Sequence, residues 1–155
     1  GIIDLFRRLK ESDVYVVAAT GFPDPITKAL VERLGWVRDR HVDLVVNASQ
    51  AGGGRPAPNM INFALRQARL LHIPDDQLGV IQPGFDYGRV MKVGDTEKDV
   101  EEGLRAGALT IATLEGTQGR EKITSKGQPH HIVEHTRDIL GLIASGTIAL
   151  ESYRA

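Results

Sequence analysis

Four short runs of branched apolar residues alternate with amphipathic segments along this chain, and the alternation narrows the choice of fold more than any other feature. The runs predict buried strands at residues 14–19, 42–46, 90–93 and 108–114. Apolar positions recur at helical spacing over residues 25–34, 59–71 and 98–106. Gly35 and Gly107 follow two of these segments, and glycine commonly ends a helix. The pattern predicts an α/β protein with a Rossmann-like parallel sheet that carries helices on both faces.

The segments outside this alternation carry weaker signals. The apolar spacing of residues 2–9 predicts an N-terminal helix. The connection at 73–89 is longer than a helix-to-strand link requires, so residues 79–87 are predicted to form a surface insertion. The sequence leaves the role of this insertion open. Residues 117–155 predict a variable tail, with a polar mobile stretch at 119–129, a short edge strand at 132–133 and a closing helix over 136–143. A chain of 155 residues is long enough for one core, so we predict a single domain over 1–155.

Composition and charge exclude several classes of function. Nineteen basic residues are offset by twenty acidic ones, which leaves no general attraction to nucleic acid or to an anionic membrane surface. The absence of cysteine excludes disulfides, thiolate catalysis and cysteine-zinc sites. No apolar run has the length of a membrane span or of a signal peptide. We expect a soluble, cytoplasmic protein with no nucleic-acid or membrane partner.

Thr20 and Gly21 follow the first predicted strand, at the edge where open α/β sheets bind their ligands. A hydroxyl next to a glycine suits a phosphate oxygen, because glycine lets backbone N–H groups approach an anion closely. The alternative is that Thr20 only begins a turn or caps the next helix.

Arg55 follows the second predicted strand, behind the run Gly52-Gly53-Gly54. A guanidinium donates two parallel hydrogen bonds to phosphate, which makes Arg55 a candidate anion ligand. The run has neither the Walker pattern nor the dinucleotide-binding pattern of glycines. The alternative is an ordinary solvated loop arginine.

Asp95 and Asp99 follow the third predicted strand, four residues apart. Carboxylate oxygens suit Mg²⁺, which takes one or two of them and fills its other positions with water and substrate phosphate. We predict both as metal-binding acids, with Asp95 the direct ligand and Asp99 orienting water or bracing the site. The alternative for Asp99 is a helix N-terminal acid that interacts with the helix dipole. Three histidines near the C-terminus, His130, His131 and His135, are more simply interpreted as surface or packing residues.

These motifs together resemble the haloacid dehalogenase (HAD) hydrolases of the phosphonatase-like branch. The resemblance rests on the stretches 19–22, 54–58 and 92–103, and on the Ala-Gly pair at 106–107. It covers residues 1–116, and the Gly-Asp-Thr-x-x-Asp-x-x-Glu-Gly pattern beginning at Gly94 is its most specific part.

The resemblance implies a role for each candidate. Thr20 becomes the phosphate-binding hydroxyl of the second family motif, with Gly21 beside it, and Arg55 the cation of the third. Asp95 becomes the metal-binding acid of the fourth motif, with Asp99 as its supporting partner. Thr96 adds a backbone or hydroxyl contact, and Lys92 immediately precedes the motif. The implied cofactor is Mg²⁺.

The resemblance also implies residues that this sequence lacks. The family's nucleophile is an aspartate in an Asp-x-Asp/Ala-Gly-Thr motif on a middle strand of the sheet, and no such motif occurs in this sequence. The helical cap with its Schiff-base lysine, which largely sets the substrate, is missing as well. Loss of the middle strand implies an unpaired edge on the strands that end near Thr20 and Asp95.

Three explanations of the missing segment are open: the sequence is part of a longer protein, another chain supplies the segment, or this is a non-catalytic remnant. We expect the first. The predicted function is then Mg²⁺-dependent hydrolysis at phosphorus through an aspartyl-phosphate, on a small phosphonate such as phosphonoacetaldehyde or on a phosphate monoester. The alternative is an anion-binding or regulatory module without turnover. Whether the protein forms a homodimer is left open.

Overall fold

The computed structural model describes all 155 residues, which divide into two compact units. The N-terminal unit is Phe6–Phe85 with Ala155, and the C-terminal unit is Gly1–Leu5 with Asp86–Arg154. The helices are α1 (Ile2–Glu11), α2 (Asp24–Leu34), α3 (Asn59–Gln67), α4 (Glu97–Ala106), α5 (Arg120–Ile123) and α6 (Ile139–Ala144). The strands are β1 (Val17–Thr20), β2 (Leu44–Asn47), β3 (Met91–Gly94), β4 (Leu109–Thr113) and β5 (His131–Val133). None of the helices has the length and hydropathy that crossing a bilayer requires.

The N-terminal unit contains a two-stranded parallel sheet in which β1 pairs with β2, with Thr20 opposite Asn47 at the carboxyl end. Helix α3 packs on β2, and a small apolar core forms between them: Val46, Ala51 and Met60 with Val17, Leu44 and Phe63 around them. Helix α2 ends at Gly35, whose φ of 65° is the left-handed conformation that glycine adopts without strain. The end of this helix is therefore set locally, by the glycine that follows it.

The C-terminal unit contains a three-stranded parallel sheet in the order β3-β4-β5. Helix α4 packs across β3 and β4, which places its apolar side on the sheet. The core of this unit is Val100, Ala112 and Ile123, with Leu104, Leu114 and Ile132 packed against them. Helix α4 begins with a capping box formed by Thr96 and Asp99, and it ends at Gly107 in the left-handed conformation.

The predicted α/β fold with parallel strands is confirmed. Strands β1 and β3 are each hydrogen-bonded to one neighbouring strand only, in agreement with the unpaired edges that the missing middle strand implies. Helix α3 ends at Gln67 rather than at residue 71, because Arg69 adopts a positive φ of 61° that helical backbone does not allow. The edge strand at 132–133 is confirmed as part of β5. The assignment of residues 1–155 to a single domain stays a prediction.

Two loop predictions need correction. The insertion at 79–87 is not wholly a surface feature, since Tyr87 is buried and the fully buried Asn62 donates hydrogen bonds to the carbonyls of Leu78 and Val80. The sequence predicts a mobile stretch at 119–129, but that stretch contains α5, whose Ile123 is fully buried in the core of the C-terminal unit. Both segments gain order from apolar or amide anchors that their polar composition does not reveal.

Candidate functional site

The turn after β1 presents the Thr20 hydroxyl. Its oxygen accepts a hydrogen bond of 3.2 Å from the Phe22 backbone N–H, so Thr20 does form a turn, and its role in phosphate binding stays a prediction. A hydroxyl has one hydrogen to donate as well, and no acceptor in the structure takes it. Thr27 fixes the far side of the turn, because its hydroxyl lies 3.1 Å from the carbonyl oxygens of both Phe22 and Pro23. The turn is therefore held in place with a donor still available.

Asn47, at the end of β2, connects that strand to the start of α2. Its side chain is fully buried, and its amide donates to the carboxylate of Asp24. Its side-chain oxygen accepts from the backbone N–H of Gln50 at 3.0 Å, and the Gln50 side chain accepts from the Asn47 N–H at 3.1 Å. Asn47 is not among the predicted site residues, because its only signal in the sequence is a polar residue at the end of an apolar run.

The glycine-rich loop brings Arg55 to the Thr20 turn. Asn59 anchors the loop by donating to the Ala51 carbonyl at 3.1 Å, and a Cβ on Gly53 would lie 2.8 Å from the Asn59 amide carbon. Arg55 is partly buried, and its Nη2 lies 3.4 Å from the position that a Cβ on Gly21 would occupy. The structure thus places the predicted Thr20, Gly21 and Arg55 together in the N-terminal unit.

Asp95 follows β3 in the C-terminal unit, half-buried, and no hydrogen bond or ion pair engages its carboxylate. The carboxylate lies directly against Gly116, where an added Cβ would come within 2.7 Å of the Asp95 carboxyl carbon. Asp95 is therefore a carboxylate whose oxygens remain available to an incoming ligand.

Asp99 has a different environment, buried to 2% exposure on the first turn of α4. One carboxylate oxygen accepts from the Thr96 N–H at 3.2 Å and from the Thr96 hydroxyl at 2.6 Å. The other oxygen lies 3.0 Å from the Lys92 ammonium. These contacts match the helix-terminal alternative, and the role of Asp99 as a metal ligand stays a prediction. The position of Asp99 also accounts for the glycine at residue 94, because a Cβ there would lie 2.7 Å from an Asp99 oxygen.

Lys92 joins Asp99 to a second buried acid, Glu102, whose carboxylate lies 2.7 Å from the same ammonium. The Lys92 side chain is 11% exposed and that of Glu102 is fully buried, so one positive and two negative charges lie out of water. Of these two residues, only Lys92 is singled out in the sequence, by its position just before the fourth family motif, and Glu102 is given no predicted role. The available signal was spacing, because Asp99 and Glu102 are three residues apart and so share one helix face.

The loop after β4 is held by side-chain hydrogen bonds at both ends. Glu115 accepts from the backbone N–H and the hydroxyl of Thr136, both at 2.7 Å. The Thr136 backbone N–H is the main cause that lowers the pKa of Glu115, followed by the Thr136 hydroxyl, while partial burial opposes both. The Gln118 side chain accepts from the Glu97 backbone N–H at 2.8 Å. The Glu97 carboxylate has a lowered pKa, chiefly through a hydrogen bond from its own backbone N–H.

The three C-terminal histidines do not converge. His130 accepts a 3.0 Å hydrogen bond from the Thr110 backbone N–H, and His135 lies 3.4 Å from the Glu115 carboxylate. No three acidic or histidine side chains in the chain gather as a ready metal site. A metal at Asp95 would therefore draw its other ligands from water, substrate or residues outside this sequence.

Comparison with known proteins places the chain in a family. A family model described as HAD-hydrolase-like matches residues 53–139, which is more than half of the chain. The chain belongs to the HAD-like hydrolase family. The matched region contains Arg55, Asp95 and Asp99, so the HAD resemblance drawn from those motifs is confirmed.

The relatives of this HAD-like chain include several named phosphonoacetaldehyde hydrolase. The one from Latilactobacillus sakei subsp. sakei is 30% identical over 116 residues, which are 75% of this chain and 38% of the relative. The one from Bordetella pertussis is 26% identical over 166 aligned positions, which cover 93% of this chain and 55% of the relative. The chain thus spans between about two fifths and just over half of the length of these relatives.

Solved structures of HAD proteins share the fold. A HAD family hydrolase from Deinococcus radiodurans R1 superposes with a TM-score of 0.70 at 17% identity, covering 94% of this chain and 58% of its own. A phosphonoacetaldehyde hydrolase-like protein from Oleispira antarctica gives a TM-score of 0.61 at 20% identity, covering 92% of this chain and 54% of its own. At these identities the likeness establishes the fold.

Proposed function

We propose that this chain is the phosphate- and metal-binding part of a Mg²⁺-dependent HAD hydrolase that acts at phosphorus, with the nucleophilic aspartate outside these 155 residues. The observation that carries the proposal is the position of Arg55 against Gly21, beside a Thr20 hydroxyl that still has a hydrogen to donate. A cation and a hydroxyl donor at the carboxyl end of parallel strands suit a phosphoryl group.

In this proposal the phosphoryl group is held from the N-terminal unit. Thr20 donates its hydroxyl hydrogen to one phosphoryl oxygen, while Arg55 donates through its planar fork to others and offsets their negative charge. Both groups are positioned before substrate arrives, Thr20 by the Phe22 N–H and the Arg55 loop by Asn59. Such preorganised charge is usually a large term in phosphoryl transfer.

Asp95 fits a magnesium ligand in this proposal because its carboxylate is half-buried and engaged by no protein donor. When bound, Mg²⁺ would supply the positive charge that phosphoryl transfer requires. Asp99 then has a positioning role: its contacts to Thr96 and Lys92 fix the start of α4, immediately after Asp95. The protein contributes a single carboxylate at this site, within the one or two that Mg²⁺ usually takes.

The nucleophile and the substrate come from family likeness. HAD enzymes attack phosphorus with an aspartate and pass through an aspartyl-phosphate that water hydrolyses, and that aspartate belongs to a motif this sequence lacks. Relatives named phosphonoacetaldehyde hydrolase support a small phosphonate as substrate, and a phosphate monoester is the second candidate.

The test uses the longest open reading frame that contains this sequence, and measures phosphate release from phosphonoacetaldehyde and from p-nitrophenyl phosphate. We expect turnover with Mg²⁺ and none with EDTA. Asp95→Asn should remove Mg²⁺-dependent turnover, whereas Asp76→Asn, at an exposed acid, should not. Arg55→Lys should lower kcat/KM on the order of a hundredfold, because lysine keeps the charge and loses the fork. Arg33→Lys, at an exposed arginine, is the matched control.

Two results would count against the proposal. Phosphate or Mg²⁺ binding without hydrolysis of either substrate would favour the anion-binding regulatory module. Full turnover in Asp95→Asn would remove Asp95 from the metal site, even if hydrolysis itself were real. A preference for the phosphonate over the phosphate ester would decide which bond, C–P or O–P, is cleaved.

A further inference from the structure

The loop at residues 114–118, which follows β4, lies against the Asp95 carboxylate. The contact point is Gly116, and an added Cβ there would meet an Asp95 oxygen, the carboxyl carbon at 2.7 Å and the Asp95 Cβ at 2.8 Å. Real Cβ atoms do not approach heavy atoms this closely, so any side chain at 116 requires Asp95 or the loop to move. The position of the Asp95 carboxylate depends on the absence of a side chain at residue 116.

The same loop is held on both sides of Gly116. Before it, the Glu115 carboxylate accepts hydrogen bonds from the N–H and the hydroxyl of Thr136, a pair of contacts that we call the Thr136 clasp. After it, Gln118 accepts from the Glu97 N–H, two residues beyond Asp95 in the chain. All of these residues belong to the C-terminal unit. The loop is thus fixed both to the tail of the chain and to the start of α4.

We infer that this loop is a positioning element for Asp95: Gly116 provides the surface against which the carboxylate rests, and the Thr136 clasp on Glu115 holds that surface in place. The inference rests on the proposed role of Asp95 as the magnesium ligand. It adds that the tail beyond β5, through Thr136, contributes to that ligand's geometry. Groups that orient a metal ligand without binding the metal typically change its affinity when they are altered.

The first test compares Gly116→Ala with Gly119→Ala in the 155-residue chain. Gly119 is a matched control because it directly follows the loop, has a φ of −73° and has nothing within 4 Å of an added Cβ. The readout is the NMR signals of the Asp95 backbone amide and carboxyl carbon, without metal. We expect Gly116→Ala to shift both signals and Gly119→Ala to leave both unchanged. Unchanged Asp95 signals in a folded Gly116→Ala chain would overturn the inference.

A second variant keeps the test decisive if Gly116→Ala does not fold. Thr136→Val removes the hydroxyl donor to Glu115 while keeping the backbone N–H donor and a similar side-chain shape. We expect faster amide hydrogen exchange over residues 114–118 and a shifted Asp95 carboxyl signal. Thr124→Val is its control, because that hydroxyl donates to carbonyls within α5 instead. Equal exchange rates and Asp95 signals in Thr136→Val and the unmodified chain would overturn the role of the clasp.

Mg²⁺ titration then separates this inference from the proposed function. If Mg²⁺ shifts the Asp95 signals in the unmodified chain, Gly116→Ala, or Thr136→Val in its place, should weaken that binding by between about tenfold and about a hundredfold. Equal affinity would overturn the positioning role and leave the metal role intact. If Mg²⁺ moves no Asp95 signal in the unmodified chain, the metal role fails for this chain, and the metal-free comparison still decides whether the loop positions the carboxylate.

Discussion

Replacing Lys92 by methionine tests the buried charge cluster of Lys92, Asp99 and Glu102. The ammonium lies 3.0 Å from the Asp99 carboxylate and 2.7 Å from that of Glu102, and all three side chains are almost entirely out of water. Methionine keeps an unbranched apolar stem of nearly the same length as lysine and removes the ammonium group, with its charge and its three N–H donors. The substitution leaves two acids buried without their counter-charge.

The expected loss follows from that burial. Removing one partner of a buried ion pair costs about 3–5 kcal/mol, because the remaining charge is neither solvated nor compensated. An exposed pair would lose far less, so the 11% exposure of the Lys92 side chain decides the estimate. Lys126→Met, at an exposed lysine of the same unit, should change the free energy of unfolding by no more than about 0.5 kcal/mol.

The assay is urea unfolding of the 155-residue chain, monitored by circular dichroism, with Glu102→Gln made alone and in combination with Lys92→Met. Glu102→Gln removes one of the two buried charges, so the double variant should be more stable than the sum of the single losses predicts, by about 1 kcal/mol or more. Strict additivity would mean that the two charges do not interact and would refute the reasoning. A loss in Lys92→Met no larger than in Lys126→Met would refute it as well.

Two further predictions concern the loops. Asn62→Ala should lower the free energy of unfolding by about 1–3 kcal/mol, because it leaves the buried Leu78 carbonyl without its amide donor. Limited proteolysis of this variant should begin in the residues that follow Leu78. Gln67→Ala, at an exposed residue of the same helix, should change neither the stability nor the cleavage pattern. Glu115 has a folded pKa below its ordinary value of 4.5, so its hydrogen bonds to Thr136 stabilise the fold above that pH and are lost as the pH falls through the folded pKa. The urea midpoints of the unmodified chain and of Glu115→Gln should therefore differ at neutral pH, and the difference should shrink only below pH 4.5, as the pH falls through the folded pKa of Glu115. A difference that stays constant with pH would contradict the assignment.

Much of the fold could be predicted because its signals are local. The alternation of apolar runs with helical spacing identified four of the five strands, and the fifth was predicted from two residues. Gly35 and Gly107 marked helix ends correctly, since a left-handed residue after a helix is a local requirement. The end of α3 was missed because Arg69, a residue that rarely adopts positive φ, gives no such signal.

The candidate site was predictable only in part. Thr20, Gly21 and Arg55 lie together as the strand-end rule predicts, since parallel strands bring their carboxyl ends to one edge. The rule does not distinguish Asp95 from Asp99, since both follow the same strand. Their different environments depend on Lys92 and Thr96, whose side chains reach only one of the two acids.

By itself the sequence determined the α/β class, the family through its motif spacing, and the lack of a nucleophile motif in these residues, because each is carried by residues close together in the chain. The tertiary structure decided which acid remains available, what holds the 114–118 loop, and which polar segments are buried. Those outcomes depend on contacts between residues far apart in sequence, such as Thr136 with Glu115 and Asn62 with Leu78. A side chain's type shows what it can bind, and only the packing around it shows whether that capacity is already used.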